Sequence, residues 1–407
     1  MIKRKEPTHI YYSQSFLSQL LMMMAFTVSI LYQVQVVGMS ALELVIVGTV
    51  LELTIFLFEI PTGLIADYKG RKYSIILGYM LIGVGFLIAG LFPYFAFILL
   101  SQVCWGIGYT CISGAHQAWI TDEIGVERVD KAFLRSAKFG NFGSLLGIPI
   151  AIVIGFQALH YSIILSGIGF LLLAILSYRY MPEKPFKIQR KEASISVTNE
   201  MKSMLSSVWA AFKKNKVLRY ILIIACIIGV YSEGFDRLWI PHLTFSIDEK
   251  FLTNEYLILI VGGLQFITAL LTVVLLQTLD TFVDQLHLKR LYQHLLVYTS
   301  ILMVTLLSFG VATNIYLLAI LFVLIQVIRQ VIATFENIWF NKLITDSSRR
   351  ATFFSFKGQI DAIGQIGGGP IIGVIGQQFS IKLALVVSAV LLSPVFFIYR
   401  KLLKTKD

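Results

Sequence analysis

Apolar residues run along this chain in long blocks separated by short clusters of charged and turn residues. Twelve blocks can be traced, at 10–36, 41–65, 73–92, 94–121, 134–157, 159–181, 217–245, 253–280, 290–311, 313–345, 353–378 and 380–403. A bilayer core about 30 Å thick needs about 20 mostly apolar residues per crossing helix. The blocks therefore predict twelve transmembrane helices, those at 94–121 and 313–345 being long enough to tilt or to extend past the bilayer. Alternation of the strand-length kind is absent, so the expected fold class is an all-α membrane protein rather than a barrel. Met1 to His9 read as a short basic tail with no cleavage pattern, and the first span is expected to stay in the mature protein.

Composition agrees with the pattern. Of 407 residues, 57% are hydrophobic and 14% charged, against about 25% charged in an average soluble domain. A soluble protein this apolar could not cover its surface with polar groups, and a disordered one would not carry so many apolar residues. The net charge of +11 follows topology instead of a nucleic-acid partner. With both termini cytoplasmic, 28 of the 34 Lys and Arg fall in the tails and inner loops, and only Lys250 and Lys382 fall on outer loops. Cys104, Cys111 and Cys226 all lie in apolar runs, so no disulfide framework is implied.

The one long polar stretch follows the sixth block. It divides the chain into an N-terminal six-helix bundle (1–181), a cytoplasmic linker (182–216) and a C-terminal six-helix bundle (217–407). In the linker, Met201, Met204, Leu205, Val208 and Phe212 recur at helical spacing beside Trp209, as in an amphipathic helix lying on the inner membrane surface. The two bundles carry an internal repeat at an offset of 221 residues. Gly147 to Gly155 reads GIPIAIVIG and Gly368 to Gly376 reads GGPIIGVIG, and Gly143 matches Gly364 at the same offset. Aligned Gly and Pro are harder to obtain by chance than aligned aliphatic residues, so two pseudo-symmetric bundles are expected.

Between the second and third blocks lies Gly63-Leu-Ile-Ala-Asp67-Tyr-Lys-Gly70-Arg71-Lys72. This segment resembles the signature loop of the major facilitator superfamily, departing from it at Tyr68, where a basic residue is usual. Gly63 is expected to let two helices approach closely, and Gly70 to permit a tight turn. The resemblance implies a gating network of Gly63, Asp67, Gly70, Arg71 and Lys72 with an acid ending span four, here Asp122. It also implies Gly/Pro-rich helix kinks, for which Gly143, Gly147 and Pro149 in span five and Gly369, Pro370 and Gly373 in span eleven are suited. Gln102 stands where drug exporters of the family have an arginine in span four. The runs Phe58-Glu59-Ile-Pro61-Thr62-Gly63 and Ser232-Glu233-Gly-Phe-Asp236-Arg237-Leu-Trp239 are similar to those of Gram-positive tetracycline efflux proteins.

Ionisable residues inside the blocks each need a reason, since insertion of one costs about 2.5–3.5 kcal/mol. Glu52 and Glu59 lie seven residues apart on one face of span two, and Arg329 and Glu336 repeat that spacing in span ten. With His116 in span four, these are the candidates for proton coupling or for lining a substrate cavity. A carboxyl held away from water favours its protonated form, as a proton carrier requires. Glu52, nearest the bilayer centre, is the first choice. Glu233–Arg237 and Lys357–Asp361 stand at i,i+4 and are expected to neutralise themselves as structural ion pairs.

The chain contains no phosphate-binding Gly-x-x-x-x-Gly-Lys-Ser/Thr loop, metal-ligand cluster or nucleophile–base arrangement, so neither enzymatic activity nor a cofactor is expected. Energy would then come from an ion gradient. The resemblance implies a multi-pass cell-membrane transporter, monomeric by default. Its expected activity is proton-coupled antiport exporting amphipathic drugs, tetracycline-like compounds first, with macrolides and other drugs behind. A proton-coupled importer or metabolite carrier on the same fold is the alternative. The partners expected are a small-molecule substrate, protons and the lipid bilayer, and no nucleic acid.

Overall fold

Helix is the only regular structure among the described residues of the computed structural model, which are 6–183, 206, 216–247, 253–283, 287–343 and 347–404. The expected amphipathic linker helix falls outside these residues. Contacts divide the chain into two compact units, Met1–Gly38 with Val50–Ser203 and Met39–Thr49 with Met204–Asp407. The division differs from the simple halves expected from the hydrophobic pattern. The first turns of the second helix cluster with the second unit, a tertiary choice that leaves no trace in hydropathy.

The first unit holds α1 (Pro7–Gln35), most of α2 (Ala41–Lys69), α3 (Arg71–Leu91), α4 (Phe95–Ile112), α5 (Ala115–Ile124), α6 (Val126–Gly155) and α7 (Leu159–Tyr180). Here α1 packs on α6 and α7, and α3 packs on α4 and α7. The block expected as one helix at 94–121 is broken between α4 and α5, where Gly114 takes φ +60°. Such a conformation is open to glycine and strained for residues with a Cβ.

The second unit holds α8 (Lys216–Thr244), α9 (Asn254–Val283), α10 (Leu288–Val311), α11 (Ile315–Leu343), α12 (Ser347–Gln378), α13 (Ile381–Leu391) and α14 (Ser393–Lys404). In this unit α8 packs on α12 and α13, while α10 packs on α11 and α13. The last expected span is likewise divided. Leu392 ends α13, and Pro394, which has no N–H to donate, sits in the first turn of α14.

Among the described residues, eleven helical stretches are long and apolar enough to cross a membrane. The stretch that falls short is α12. Its 32 residues give ample length, but Lys357, Gln359, Asp361, Gln365 and its many glycines dilute its apolar character. Those residues are explained by what α12 packs against. A Cβ on Gly364 would collide with the Cys226 carbonyl of α8, and one on Gly368 would lie 2.6 Å from Val230 Cγ1. In the first unit, a Cβ on Gly143 would collide with the Phe16 carbonyl of α1, and one on Gly147 would lie 2.5 Å from the Leu20 carbonyl oxygen. The repeated glycines thus serve equivalent backbone-close packings in each unit, α6 on α1 and α12 on α8. Pro149 and Pro370 stand inside these same two helices.

Candidate functional site

The signature loop joins α2 to α3 through a single residue, Gly70, whose φ of +104° makes the turn. Arg71 opens α3 and its Nη1 donates to Asp67 Oδ1 at 2.5 Å, one turn back on α2. Its Nε lies 3.8 Å from Asp122 Oδ2 on α5, so one guanidinium faces two carboxylates. Lys72 turns away from this cluster, its Nζ donating to the Met181 carbonyl at 2.7 Å. Glu183 accepts from the Lys72 backbone N–H at 3.1 Å and caps α3 from outside, since Gly70 has no side chain to do so. Gly63 departs from expectation. A Cβ there would meet nothing within 4 Å among the described residues, so it marks no close helix approach within the first unit.

Further up α2, Glu52 and Glu59 are both half-buried. Ser113 Oγ, at the break after α4, donates to Glu59 Oε1 at 3.3 Å. Tyr109 on α4 lies within electrostatic reach of both carboxyls. His116 is placed otherwise than a cavity residue would be. Its Nε2 bonds Gln14 Oε1 at 2.9 Å, its ring lies 4.5 Å from that of Tyr11, and Gln14 donates in turn to Ser177 Oγ at 2.8 Å. Amide and aromatic packing from α1 and α5 occupies this histidine, and Ser177 of α7 holds Gln14 in place.

The second unit contains a cavity of about 690 Å³, all of whose lining residues belong to that unit. Its size falls within the roughly 300–1,000 Å³ of small-molecule sites. Five of the lining residues are charged: Asp236 on α8, Arg329 and Glu336 on α11, and Lys357 and Asp361 on α12. Arg329 Nη2 donates to Asp236 Oδ2 at 2.8 Å while Nη1 donates to Oδ1, a two-pronged pair, and Gln326 Oε1 accepts a third bond at 3.1 Å. The rings of Tyr231 and Phe235 lie 5.9 and 5.7 Å from the same guanidinium. Glu336 is nearly fully buried, with Tyr399 Oη donating to one oxygen at 2.8 Å and Lys357 Nζ to the other at 3.1 Å. Lys357 therefore pairs across helices and not with Asp361 as its i,i+4 position suggested. Asp361 instead accepts from Gln365 Nε2 at 2.9 Å.

The expected Glu233–Arg237 pair does form within α8, Nε to Oε1 at 2.9 Å. A Cβ on Gly48, in the part of α2 that clusters with this unit, would collide with the Glu233 carboxylate. Nearby, a Cβ on Gly369 would lie 3.0 Å from Glu233 Cγ, and one on Gly373 would lie 3.1 Å from Leu42 Cδ1. Sequence reasoning missed Asp236, Gln326, Tyr231 and Tyr399. A signal for Asp236 was present: it is an acid in an apolar block with no cation one turn away, and Arg329 is a cation with no acid one turn away.

Comparison with known proteins places this geometry. The family model described as Major Facilitator Superfamily matches residues 12–284. Over 405 residues the chain is 26% identical to the uncharacterised MFS-type transporter YxaM of Bacillus subtilis (strain 168), covering 98% of this chain and 96% of the relative. The fold is similar to the crystal structure of the nucleoside transporter NupG, with a TM-score of 0.79 and 15% identity over 99% of this chain and 100% of that one. It is also similar to a bacterial homologue of the human lysosomal transporter Spinster in an inward-facing, occupied conformation, with a TM-score of 0.74 and 13% identity over 97% and 96% of the two chains. At such identities the structural likeness speaks for the fold alone. The family match spans more than half of the sequence and agrees with eleven membrane-length helices, so the chain belongs to the major facilitator superfamily and is a membrane transporter, not an enzyme.

Proposed function

We propose that this transporter is a proton-coupled antiporter that exports amphipathic drugs, tetracycline-like compounds first among them, by alternating access. The observation that carries the reading is the cavity of the second unit, where aromatic and aliphatic residues (Tyr231, Phe354, Ile228, Ile332) adjoin charged ones. An apolar wall with a few convergent polar groups suits a compound that is part apolar and part charged. Sequence features add to it: the Gly/Pro pattern of α6 and α12, and the lack of any nucleotide-binding loop.

In this reading the chain crosses the cell membrane twelve times with both termini cytoplasmic and works as a monomer. Asp67, Arg71 and Asp122 form the latch that holds one gate. Glu52 carries the coupled proton, and Glu59, seven residues and about 10 Å further along α2, relays it.

Inverted membrane vesicles energised to be acid inside test the proposal. They should accumulate tetracycline and release protons as they do so. Accumulation that survives collapse of the proton gradient and follows ATP or sodium would overturn the coupling. Gradient-driven movement in the opposite sense would favour the importer.

A further inference from the structure

Two glutamines of the second-unit cavity are turned in opposite senses by charged neighbours. Gln326 on α11 accepts from Arg329 Nη1 through its Oε1 at 3.1 Å. A guanidinium has donors only, so the amide oxygen must face it and the NH2 group of Gln326 is directed elsewhere. Gln365 on α12 does the reverse, its Nε2 donating to Asp361 Oδ2 at 2.9 Å. An ionised carboxylate only accepts, so here the NH2 group is engaged and the amide oxygen is the end left over. Both glutamines line the cavity, and the two residues that turn them, Arg329 and Asp361, lie within electrostatic reach of each other. The orienting residues are themselves anchored. Arg329 is held by Asp236 through two parallel bonds, and a Cβ on Gly229 of α8 would collide with the Asp361 carbonyl and lie 3.0 Å from the Gln365 backbone nitrogen. Amides fixed in this way lose little freedom when a ligand arrives.

We infer that Gln326 and Gln365 together form a subsite for an uncharged amide or imide edge of a ligand, a carbonyl beside an N–H. The ligand carbonyl accepts from Gln326 Nε2, and the ligand N–H donates to Gln365 Oε1. The planar, apolar part of the molecule that carries this edge lies against Tyr231 and Phe354, which line the same space. The charged side chains act here as orienters. Arg329 is already bonded to Asp236 and Lys357 to Glu336, so what this end of the cavity offers a ligand is one amide donor and one amide acceptor. A ligand without the N–H leaves the Gln365 oxygen unpaired in a partly buried site, and that penalty is the source of selectivity.

The inference deepens the export reading by naming the group that the cavity recognises, and it rests on that reading only in taking the cavity as the substrate site. The test is equilibrium binding, read by fluorescence, of naphthalimide and of its N-methyl derivative to the full-length protein purified in detergent, with no gradient and no direction. Wild type should bind the N–H compound at least tenfold more tightly than the N-methyl compound. Gln365→Met, similar in length but without the amide oxygen, should remove that preference by weakening the N–H compound. Gln326→Met should weaken both compounds, since both keep the carbonyl. Equal affinity for the two compounds in wild type would overturn the assignment, as would failure to bind either, and neither outcome depends on a variant that folds. A tenfold preference that survives in Gln365→Met would also overturn it, because the methyl group would then be excluded by shape alone. Failure here leaves vesicle export standing, and failure of vesicle export leaves the amide subsite standing.

Discussion

Arg329 and Asp236 are 93 residues apart in sequence and meet through two parallel hydrogen bonds, Nη1 to Oδ1 and Nη2 to Oδ2. The guanidinium plane suits this two-pronged geometry, which an ammonium could not copy. The pair ties α8 to α11 at the edge of the second-unit cavity, and Gln326 holds the arginine from its own helix.

Breaking that pair should lower stability and should do so through both residues jointly. Asp236→Asn and Arg329→Gln are each expected to cost about 1–3 kcal/mol, while the double variant costs less than their sum by about 0.5–3 kcal/mol. The partly exposed carboxylate keeps these values below those of a fully buried pair. Thermal unfolding of the four proteins in detergent measures the coupling; additive effects would deny it.

The latch proposed for the signature loop predicts a functional loss without a folding loss. Asp67→Asn should abolish transport at normal membrane levels, because Arg71 loses its nearer carboxylate while no helix is altered. Arg71→Lys should keep only part of the activity, an ammonium bridging Asp67 and Asp122 less well than a guanidinium. Full vesicle transport by Asp67→Asn at matched expression would dismiss the latch.

Glycines of the repeat and of the loop should respond differently to one added side chain. Gly143→Val and Gly364→Val drive methyl groups into the Phe16 and Cys226 carbonyls, and each should destabilise the protein by about 1–3 kcal/mol or prevent its assembly. Gly63→Val meets open space and should unfold close to the wild-type temperature. Size-exclusion profiles and melting curves report both, and equal sensitivity at all three positions would contradict the packing described.

Glu336 is expected to matter for stability through the partners it satisfies. Tyr399→Phe removes one hydrogen bond to a buried carboxylate and should cost about 1–3 kcal/mol. Glu336→Leu leaves the half-buried Lys357 without its acid and should cost more, while the double change with Lys357→Met should recover most of that loss. A double variant no better than Glu336→Leu alone would count against the pair.

Glu52→Gln mimics the protonated carboxyl. It should stop gradient-driven efflux while still allowing exchange of drug across the membrane in the absence of a gradient. A glutamate acting only as a hydrogen-bonding strut would be replaced by Gln with little loss, so wild-type efflux at equal expression decides for the strut.

Hydropathy alone determined that the chain is helical and built for a membrane, because the length of an apolar run and its lack of charge reflect the bilayer directly. The repeated glycines of α6 and α12 were also legible, since a residue chosen for its small size stands out among aliphatic neighbours. So was Glu233–Arg237, because residues four apart on one helix are neighbours however that helix packs. The same rule failed for Lys357, which reaches across to Glu336, and it passed over Asp236, whose partner lies on another helix. Breaks at Gly114 and Leu392 were hidden inside continuous apolar runs. Spacing left His116 open between a packing residue and a ligand, and its bond to Gln14 appears only in the packed structure. In each of these cases the outcome depended on the rotation and register of one helix against the next. Those are set by side-chain packing summed over whole faces, and spacing along a single helix carries no record of them.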